Sequence, residues 1–453
     1  MDKTLLLIVI LSISSIITPI FIILKPSLNI GRFTFNTFYI PHLTAAILIV
    51  LTDIISGADA YKGVIGNDLL SPAGILVLFF SMAYISIFLD YCGFFDYCAR
   101  LAVRKAGTNQ VRLFIYLYSA VSILTVFTSN DIIILTVTPF VYYFSKEAKI
   151  NPLPYLIAEF FAANTWSMLL MIGNPTNILI AEAFQIGFFE YFKVMVIPTL
   201  AAGLINFSVV FLLFKKSLKK PILPLFYDSK KAIKDLNGTI TGLIVLIICI
   251  VVLSISGYIN IKMWIVSAIS AAVIVVFITC RMIYNLIKAI GLKKTYKNPI
   301  LVHTFKKIPW GILPFTLSLF IIITAVVKTG LSDRVSLIIS IIFDKTPEIS
   351  SIIFGFFAAI TCNLINNIPA SVFFIPLISN VPETIRSGAL YSAIASTNLS
   401  ANITPLGALA GIMWQNILKN HGFKVSFLDF VKYGTIVTLI SLSATLILIN
   451  ILT

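Results

Sequence analysis

The chain predicts an all-α polytopic membrane protein, an inverted repeat of two halves with about ten transmembrane helices, two re-entrant hairpins and two broken helices. Three observations predict it. Of 453 residues, 59% are hydrophobic and 11% charged, and the mean hydropathy is +1.01, outside the range of a water-soluble domain of this length. Apolar runs of roughly 20 residues, enough to cross about 30 Å of hydrocarbon, recur along the whole chain. Polar stretches interrupt that apolar sequence at matching places in its two parts.

The first run, 4–24, follows Met1-Asp2-Lys3. It is long for a signal-peptide core and no clean small-residue cleavage pattern follows, so it reads as the first transmembrane helix. Runs 38–56 and 74–95 come next, then a block, 112–144, broken near its middle by Thr128-Ser129-Asn130-Asp131. The arm after the break, 132–144, would rise only about 20 Å, which makes the pair a re-entrant hairpin. Runs 154–183 and 194–214 complete a first half, 1–214. The basic segment 215–238, with Pro221 and Pro224, reads as a cytoplasmic linker. The second half, 239–453, holds runs 239–258, 263–283, 311–327, 388–418 and 431–451. Its block 350–379 is broken by Asn363-Leu364-Ile365-Asn366-Asn367 into two short arms, a second re-entrant hairpin.

On this topology, 25 of the 33 Lys and Arg residues fall on one side; the rest are Lys3, Lys62, Lys193, Lys262, Lys328, Arg334, Lys345 and Arg386. The rich side is cytoplasmic by the positive-inside rule, which puts both termini outside a plasma membrane. The net charge of +15 therefore resides in short loops, where it serves topology and anionic headgroups rather than nucleic acid.

Displacing the chain on itself by about 235 residues aligns the first two helices with 239–258 and 263–283, Asn130-Asp131 with Asn366-Asn367, and Pro139 with Pro376. Five crossings plus one hairpin is an odd number, so the second half enters the membrane inverted.

Amides and carboxylates at membrane depth have no water to satisfy them and are tolerated where they line a cavity or bind something. Each half carries a second break, Gly173-Asn174-Pro175-Thr176-Asn177 and Asn402-Ile403-Thr404-Pro405-Leu406-Gly407. A single proline break usually only kinks a helix, but four paired breaks bearing Asn or Thr point to a site at the repeat interface. The expected substrate-binding residues are Asn130, Asn174, Thr176, Asn177, Asn366, Asn367, Asn402 and Thr404. Asp131 is the expected proton carrier, because burying an unpaired carboxylate costs several kcal/mol and favours the neutral acid. It also stands where an Asp would cap the arm beginning at Ile132. Glu159 is the second proton-coupling candidate, although a solvated place near the cytoplasmic surface is its simpler explanation. Asp53 and Asp90 read as interfacial.

No metal site or cofactor is expected. The five cysteines include no C-x-x-C pair, and His42, His303 and His421 lack metal-helix spacing. Cys362 beside Asn363 could offer a thiolate to a soft metalloid, but a small buried hydrophobe is its simpler role. No Walker-type phosphate loop occurs, so transport relies on an ion gradient or a separate subunit.

The residues resemble the arsenical-pump membrane protein family of the ion-transporter superfamily. The likeness is carried by Ile87-Phe88-Leu89-Asp90 with Gly93-Phe94-Phe95, Asn130-Asp131 with Thr138-Pro139, Ile186-Gly187-Phe188-Phe189-Glu190-Tyr191-Phe192, Asn366-Asn367-Ile368-Pro369 and Ile403-Thr404-Pro405-Leu406-Gly407-Ala408-Leu409 followed by Trp414. The resemblance implies two scaffold and two transport subdomains meeting at a central site. It also implies efflux of arsenite or antimonite coupled to proton entry, with docking of a cytoplasmic ATPase subunit in some members. The family often carries acidic residues where Asn164 and Asn398 stand here and a basic one where Asn402 stands, which leaves Asp131 more isolated as the coupling group.

The reading is a secondary active transporter, a proton-coupled exporter of a neutral metalloid acid. Its rivals are a Na+/H+ antiporter, a sodium-coupled di/tricarboxylate carrier and, from another class, a receptor or assembly subunit. Such carboxylate carriers use Ser-Asn-Thr at both hairpin tips, where this chain has Ser129-Asn130-Asp131 and Ile365-Asn366-Asn367. Enzymatic activity is not expected, as no nucleophile, base and orienting group stand together. The partners expected are a small inorganic substrate, protons and membrane lipid, with an ATPase subunit and a second copy of the chain (a homodimer) as further candidates.

Overall fold

Uninterrupted apolar runs become long helices, and the polar stretches become breaks, in the computed structural model, which describes residues 2–24, 27–30, 33–66, 71–219, 221–222, 229–291 and 299–453. Helix α1 (Lys3–Leu24) is followed by a hairpin of β1 (Ser27–Ile30) and β2 (Phe33–Asn36), antiparallel with Ser27 opposite Asn36 and Ile30 opposite Phe33. Then come α2 (Ile40–Leu51), α3 (Gly57–Ile65), α4 (Pro72–Tyr91), α5 (Phe94–Ala106), α6 (Gln110–Phe127), α7 (Asn130–Glu147), α8 (Leu153–Trp166), α9 (Pro175–Ala183) and α10 (Phe188–Phe214). After the linker follow α11 (Leu236–Ile255), α12 (Met263–Gly291), α13 (Pro299–Lys307), α14 (Ile312–Lys328), α15 (Leu331–Lys345), α16 (Ser350–Ile365), α17 (Asn367–Ser379), α18 (Glu383–Leu399), α19 (Leu409–Asn420) and α20 (Phe427–Leu452).

Among the described residues eight stretches are long and apolar enough to cross a membrane: α4, α6, α10, α11, α12, α20, Ile300–Lys328 and Pro347–Ile365. Two expectations change in detail. The run 38–56 folds as α2, whose 12 residues rise about 18 Å, followed by the separate α3, whose start Ser56 and Asp59 cap reciprocally. The runs 154–183 and 388–418 are each two helices joined through a 3-10 turn, as the breaks within them predict. The arm expected over 132–144 is the 18-residue α7, about 27 Å long, because the helical ladder continues through the polar Ser145-Lys146-Glu147 after the apolar run stops.

The most deeply enclosed elements are α8 and α18, in which every residue of 154–165 and 388–399 is buried. A helix apolar all round belongs inside a bundle. Helix α8 packs against α6, α7 and α10, α18 against α16, α17 and α20, and α10 lies along α20. Helix α4 packs on α11, α12 and α13, while α14 packs on α2 and α3. The linker end is tied down on the basic face. Lys234 N donates to Cys92 O at 2.9 Å, and Asp235 both caps α11 and pairs with Arg281.

Candidate functional site

At both hairpin tips the backbone leaves helical geometry. Ser129 is extended (φ −158°, ψ 144°) and α7 starts at Asn130. Asn366 sits at φ +75°, ψ 151°, a region glycine normally occupies, and the fold holds it there by side-chain bonds. Its Oδ1 accepts from Ile368 N at 3.3 Å and caps α17, and its Nδ2 donates to Leu406 O at 3.0 Å. Next to it, Asn367 N donates to Gly407 O at 2.9 Å and Asn367 Nδ2 to Thr397 O at 3.1 Å. The second tip is thereby laced to the end of α18 and to the second break.

In each broken helix a 3-10 turn follows the buried half, Met171–Gly173 after α8 and Ser400–Asn402 after α18. Pro175 opens α9, where its missing N–H is no loss, and Asn174 Oδ1 accepts from Thr176 N at 3.2 Å. Thr404 Oγ1 donates to Asn363 Oδ1 at 2.8 Å, and Asn363 Nδ2 donates to Ser400 O at 3.0 Å, so Thr404 braces the second hairpin. Glycine at 434 lets α20 close over this break, because a Cβ there would strike the Asn402 carbonyl.

Two amide relays join these parts. In the first, Asn130 Nδ2 donates to Asn164 Oδ1 at 3.0 Å, and Asn164 Nδ2 donates to Asn402 Oδ1 at 3.0 Å. In the second, Asn398 Oδ1 accepts from Ser167 Oγ at 2.8 Å and Asn174 Nδ2 at 2.9 Å, while Asn398 Nδ2 donates to Asn177 Oδ1 at 2.6 Å. Asn177 Nδ2 ends on the Ser167 and Leu170 carbonyls at 2.9 and 3.3 Å. Every member is an amide, a hydroxyl or a backbone group; neither relay contains a basic side chain.

The first relay is incomplete. Asn164 Nδ2 also donates to Phe160 O at 3.2 Å, and because a carbonyl only accepts, that bond fixes which way the whole relay points. Its free ends are then one acceptor, Asn130 Oδ1, and one donor, Asn402 Nδ2, both buried without a partner. Ser129 Oγ, Thr176 Oγ1 and Asn367 Oδ1 are likewise buried and unpartnered. Each such group costs about 1–3 kcal/mol, and folded proteins keep them where a ligand or water completes the bonding.

Flanking Asn130 in the chain, Ser129 and Asp131 face the other way, into a cavity of about 360 Å³. Its walls come from α4 (Phe79, Met82, Ala83, Ile87), α7 (Ile132, Leu135, Thr136), Ile172, and α19 (Leu409, Ile412, Met413). Asp131 is 9% exposed, and its carboxyl has no hydrogen-bond partner among the described residues. The cavity runs toward Asp90 and Lys307 on the basic face. Asp90, expected at an ordinary interface, lines this cavity and pairs with Lys307 at 2.9 Å.

Glu159 is elsewhere. It is fully enclosed, against the expectation of a solvated end, and its oxygens accept from Thr138 Oγ1 at 3.0 and 3.1 Å. It lines neither the cavity nor a relay. Nearby Trp414 packs on Phe160 and Phe430. Cys362 is buried, and among the described residues no three His, Cys, Asp or Glu side chains could hold a metal together. The sequence did not single out Asn164, Asn398, Ser129 and Ser167 as site residues, although Asn164 and Asn398 carry the same signal as the rest, an amide inside an apolar run.

Residues 33–397 match the family described as Citrate transporter. An arsenical pump membrane protein of Escherichia coli is 28% identical over 375 residues, 81% of this chain and 84% of that one. That of Yersinia enterocolitica is 28% identical over 384 residues with the same coverage. An uncharacterized transporter of Mycobacterium tuberculosis is 24% identical over 412 residues, 88% of this chain and 90% of its own. The crystal structure of the Alcanivorax borkumensis YdaH transporter aligns with all of this chain and 98% of its own at a TM-score of 0.56 and 13% identity, a likeness of fold.

Proposed function

We propose, for a chain that belongs to the citrate transporter family and is a secondary transporter of the ion-transporter superfamily, that it exports an uncharged trivalent metalloid acid, arsenite or antimonite, in exchange for protons. The observation that carries this reading is the open relay. Its ends offer one acceptor and one donor, and a neutral hydroxylated solute supplies the complementary donor and acceptor without bringing a charge into a site that has no basic side chain. The names of the similar arsenical pumps agree with that chemistry.

Asp131 is the coupling group in this reading. Its carboxyl meets water through a cavity leading to the basic face, so a proton is exchanged there while the neighbouring Asn130 holds substrate. The basic face is cytoplasmic, both termini are outside, and the chain resides in the plasma membrane. Residues 1–214 and 239–453 act as inverted halves joined by the linker 215–238; the matching succession of helices α4 to α10 and α14 to α20 supports this.

One observation favours a second reading. Helices α7, α9, α17 and α19 all begin at the tips or breaks, and helix N-termini attract negative charge, as a carboxylate carrier requires. Everted membrane vesicles offered arsenite, antimonite, sodium and citrate under an imposed pH gradient separate the readings. The expected result is gradient-driven accumulation of the metalloids, abolished in a correctly inserted Asp131→Asn variant. Citrate transport without metalloid transport would overturn the substrate assignment, and unchanged gradient-driven accumulation in Asp131→Asn would overturn the role of Asp131.

A further inference from the structure

The cavity that reaches Asp131 has a second charged end. Phe79, Met82, Ala83, Ile87 and Asp90 form one stripe of α4 along its wall, and from Phe79 to Asp90 that stripe rises about 16 Å. At its end Asp90 Oδ2 meets Lys307 Nζ at 2.9 Å, joining α4 to the last residue of α13. Among the described residues lining the cavity only Asp90, Lys307 and Asp131 are charged; Ser129, Thr136 and Asn416 are polar and the remainder apolar. Outside the pair, the neighbouring ionisable groups include Lys234, His303, whose ring lies 5.1 Å from Tyr91, and Cys92, beside which Asp235 pairs with Arg281.

A narrow passage with low-dielectric walls concentrates the field of any unbalanced charge at its mouth. Lys307 alone would gather anions on a face that is already basic, and Asp90 alone would gather cations. The two side chains are 48% and 18% exposed, so the pair adds little stability, and its effect is on the local potential. We propose that the Asp90–Lys307 pair is a charge filter at the mouth of the Asp131 cavity: by cancelling each other, the two side chains make entry indifferent to charge, so that an uncharged solute competes on equal terms with ions. This refines the reading of a neutral substrate, yet it concerns the entrance alone and is testable without any transported solute.

The test places one reporter thiol inside the cavity. Thr136→Cys is made in a chain whose five native cysteines are replaced, with Asn416→Cys as a second reporter position. Labelling rates are then measured in vesicles of both orientations with methanethiosulfonates carrying a sulfonate, a trimethylammonium or no charge. The pair intact, the three reagents keep the relative rates they show toward a small free thiol. Asp90→Asn raises the anionic-to-cationic ratio on the order of 10-fold at low salt, Lys307→Gln lowers it by a similar factor, and both effects shrink in high salt. The double variant returns to the starting ratio. A ratio unmoved by either single variant would overturn the filter, and so would reporters that no reagent reaches from either side. Loss of metalloid transport in the vesicle assay leaves this result untouched, so the two failures are distinguishable.

Discussion

Asn164 and Asn398 occupy corresponding places near the ends of the two buried helices, and each donates to the carbonyl four residues back, Phe160 O and Ile394 O. From there they diverge. Asn398 meets partners that are themselves satisfied: Asn177 ends on two carbonyls, and Asn174 on the amide of Thr176. Asn164 meets Asn130 and Asn402, each with one buried end left over. The same residue in the same local geometry therefore closes a clasp in one half and opens a site in the other. What decides is the bonding capacity remaining on its neighbours.

The comparison breaks first on binding. Asn398→Leu strands Asn174 Nδ2 and Asn177 Oδ1 inside the protein, at about 1–3 kcal/mol each, while Ser167 Oγ keeps its bond to Asn164 O, so a loss of about 2 kcal/mol or more is expected in thermal unfolding of the purified protein. Asn164→Leu likewise strands two groups, Asn130 Nδ2 and Asn402 Oδ1, and should lower stability by a similar amount, while removing substrate binding. Binding intact in Asn164→Leu would erase the distinction between clasp and site.

A second substitution sharpens it. Asn402→Ala deletes a buried donor that has no partner and leaves Asn164 bonded to Phe160 O, so stability should stay within about 1 kcal/mol. Losing one ligand contact should meanwhile raise KM about 10-fold, equivalent to about 1.4 kcal/mol. A KM unchanged in vesicles would move the site away from the open relay.

The two buried acids form a parallel contrast. Asp131 faces a cavity, whereas Glu159 is sealed against Thr138 with no charged neighbour bonded to it among the described residues. Glu159→Gln keeps an acceptor for the Thr138 hydroxyl and should change stability by less than about 1 kcal/mol, with the gradient response retained. Loss of that response with normal insertion would make Glu159 a coupling group alongside Asp131.

How much of this was legible follows from what a sequence encodes. The breaks were legible because Asn, Pro and Gly inside apolar runs violate a local rule, and that violation marked Asn130, Asp131, Asn174, Asn177, Asn366, Asn367 and Asn402 as candidates. Which of them retain a free end was not, since that depends on partners from the other half of the chain, as Asn398 with Asn177 or Asn164 with Asn402. Asp90 does sit near the end of α4, as its position in the sequence indicates, but its pairing was not legible for the same reason: only the packing of α13 brings Lys307 beside it. The length of α7 escaped because hydropathy ends at Phe144 while the backbone ladder does not.

The smallest effect is expected outside the membrane segments, and it serves as the control for the proton reading. Asp59 of α3 pairs with Lys328, and that ammonium, followed by the Ser56 hydroxyl, lowers its carboxyl from 3.8 to about 2. A carboxyl whose folded value lies below its unfolded one contributes stability above the unfolded value, and that contribution is lost as pH falls from about 4 through about 2. Asp59→Asn should therefore lower the plateau near neutral pH slightly and flatten the acid limb of a stability-against-pH curve, the variant and parent curves converging as pH falls through about 2. Its transport should keep the parent's pH response between about pH 6 and 8, because Asp59 stays ionised throughout that window. A response in that window that vanished in Asp59→Asn and survived in Asp131→Asn would take the coupling role away from the cavity and give it to the surface.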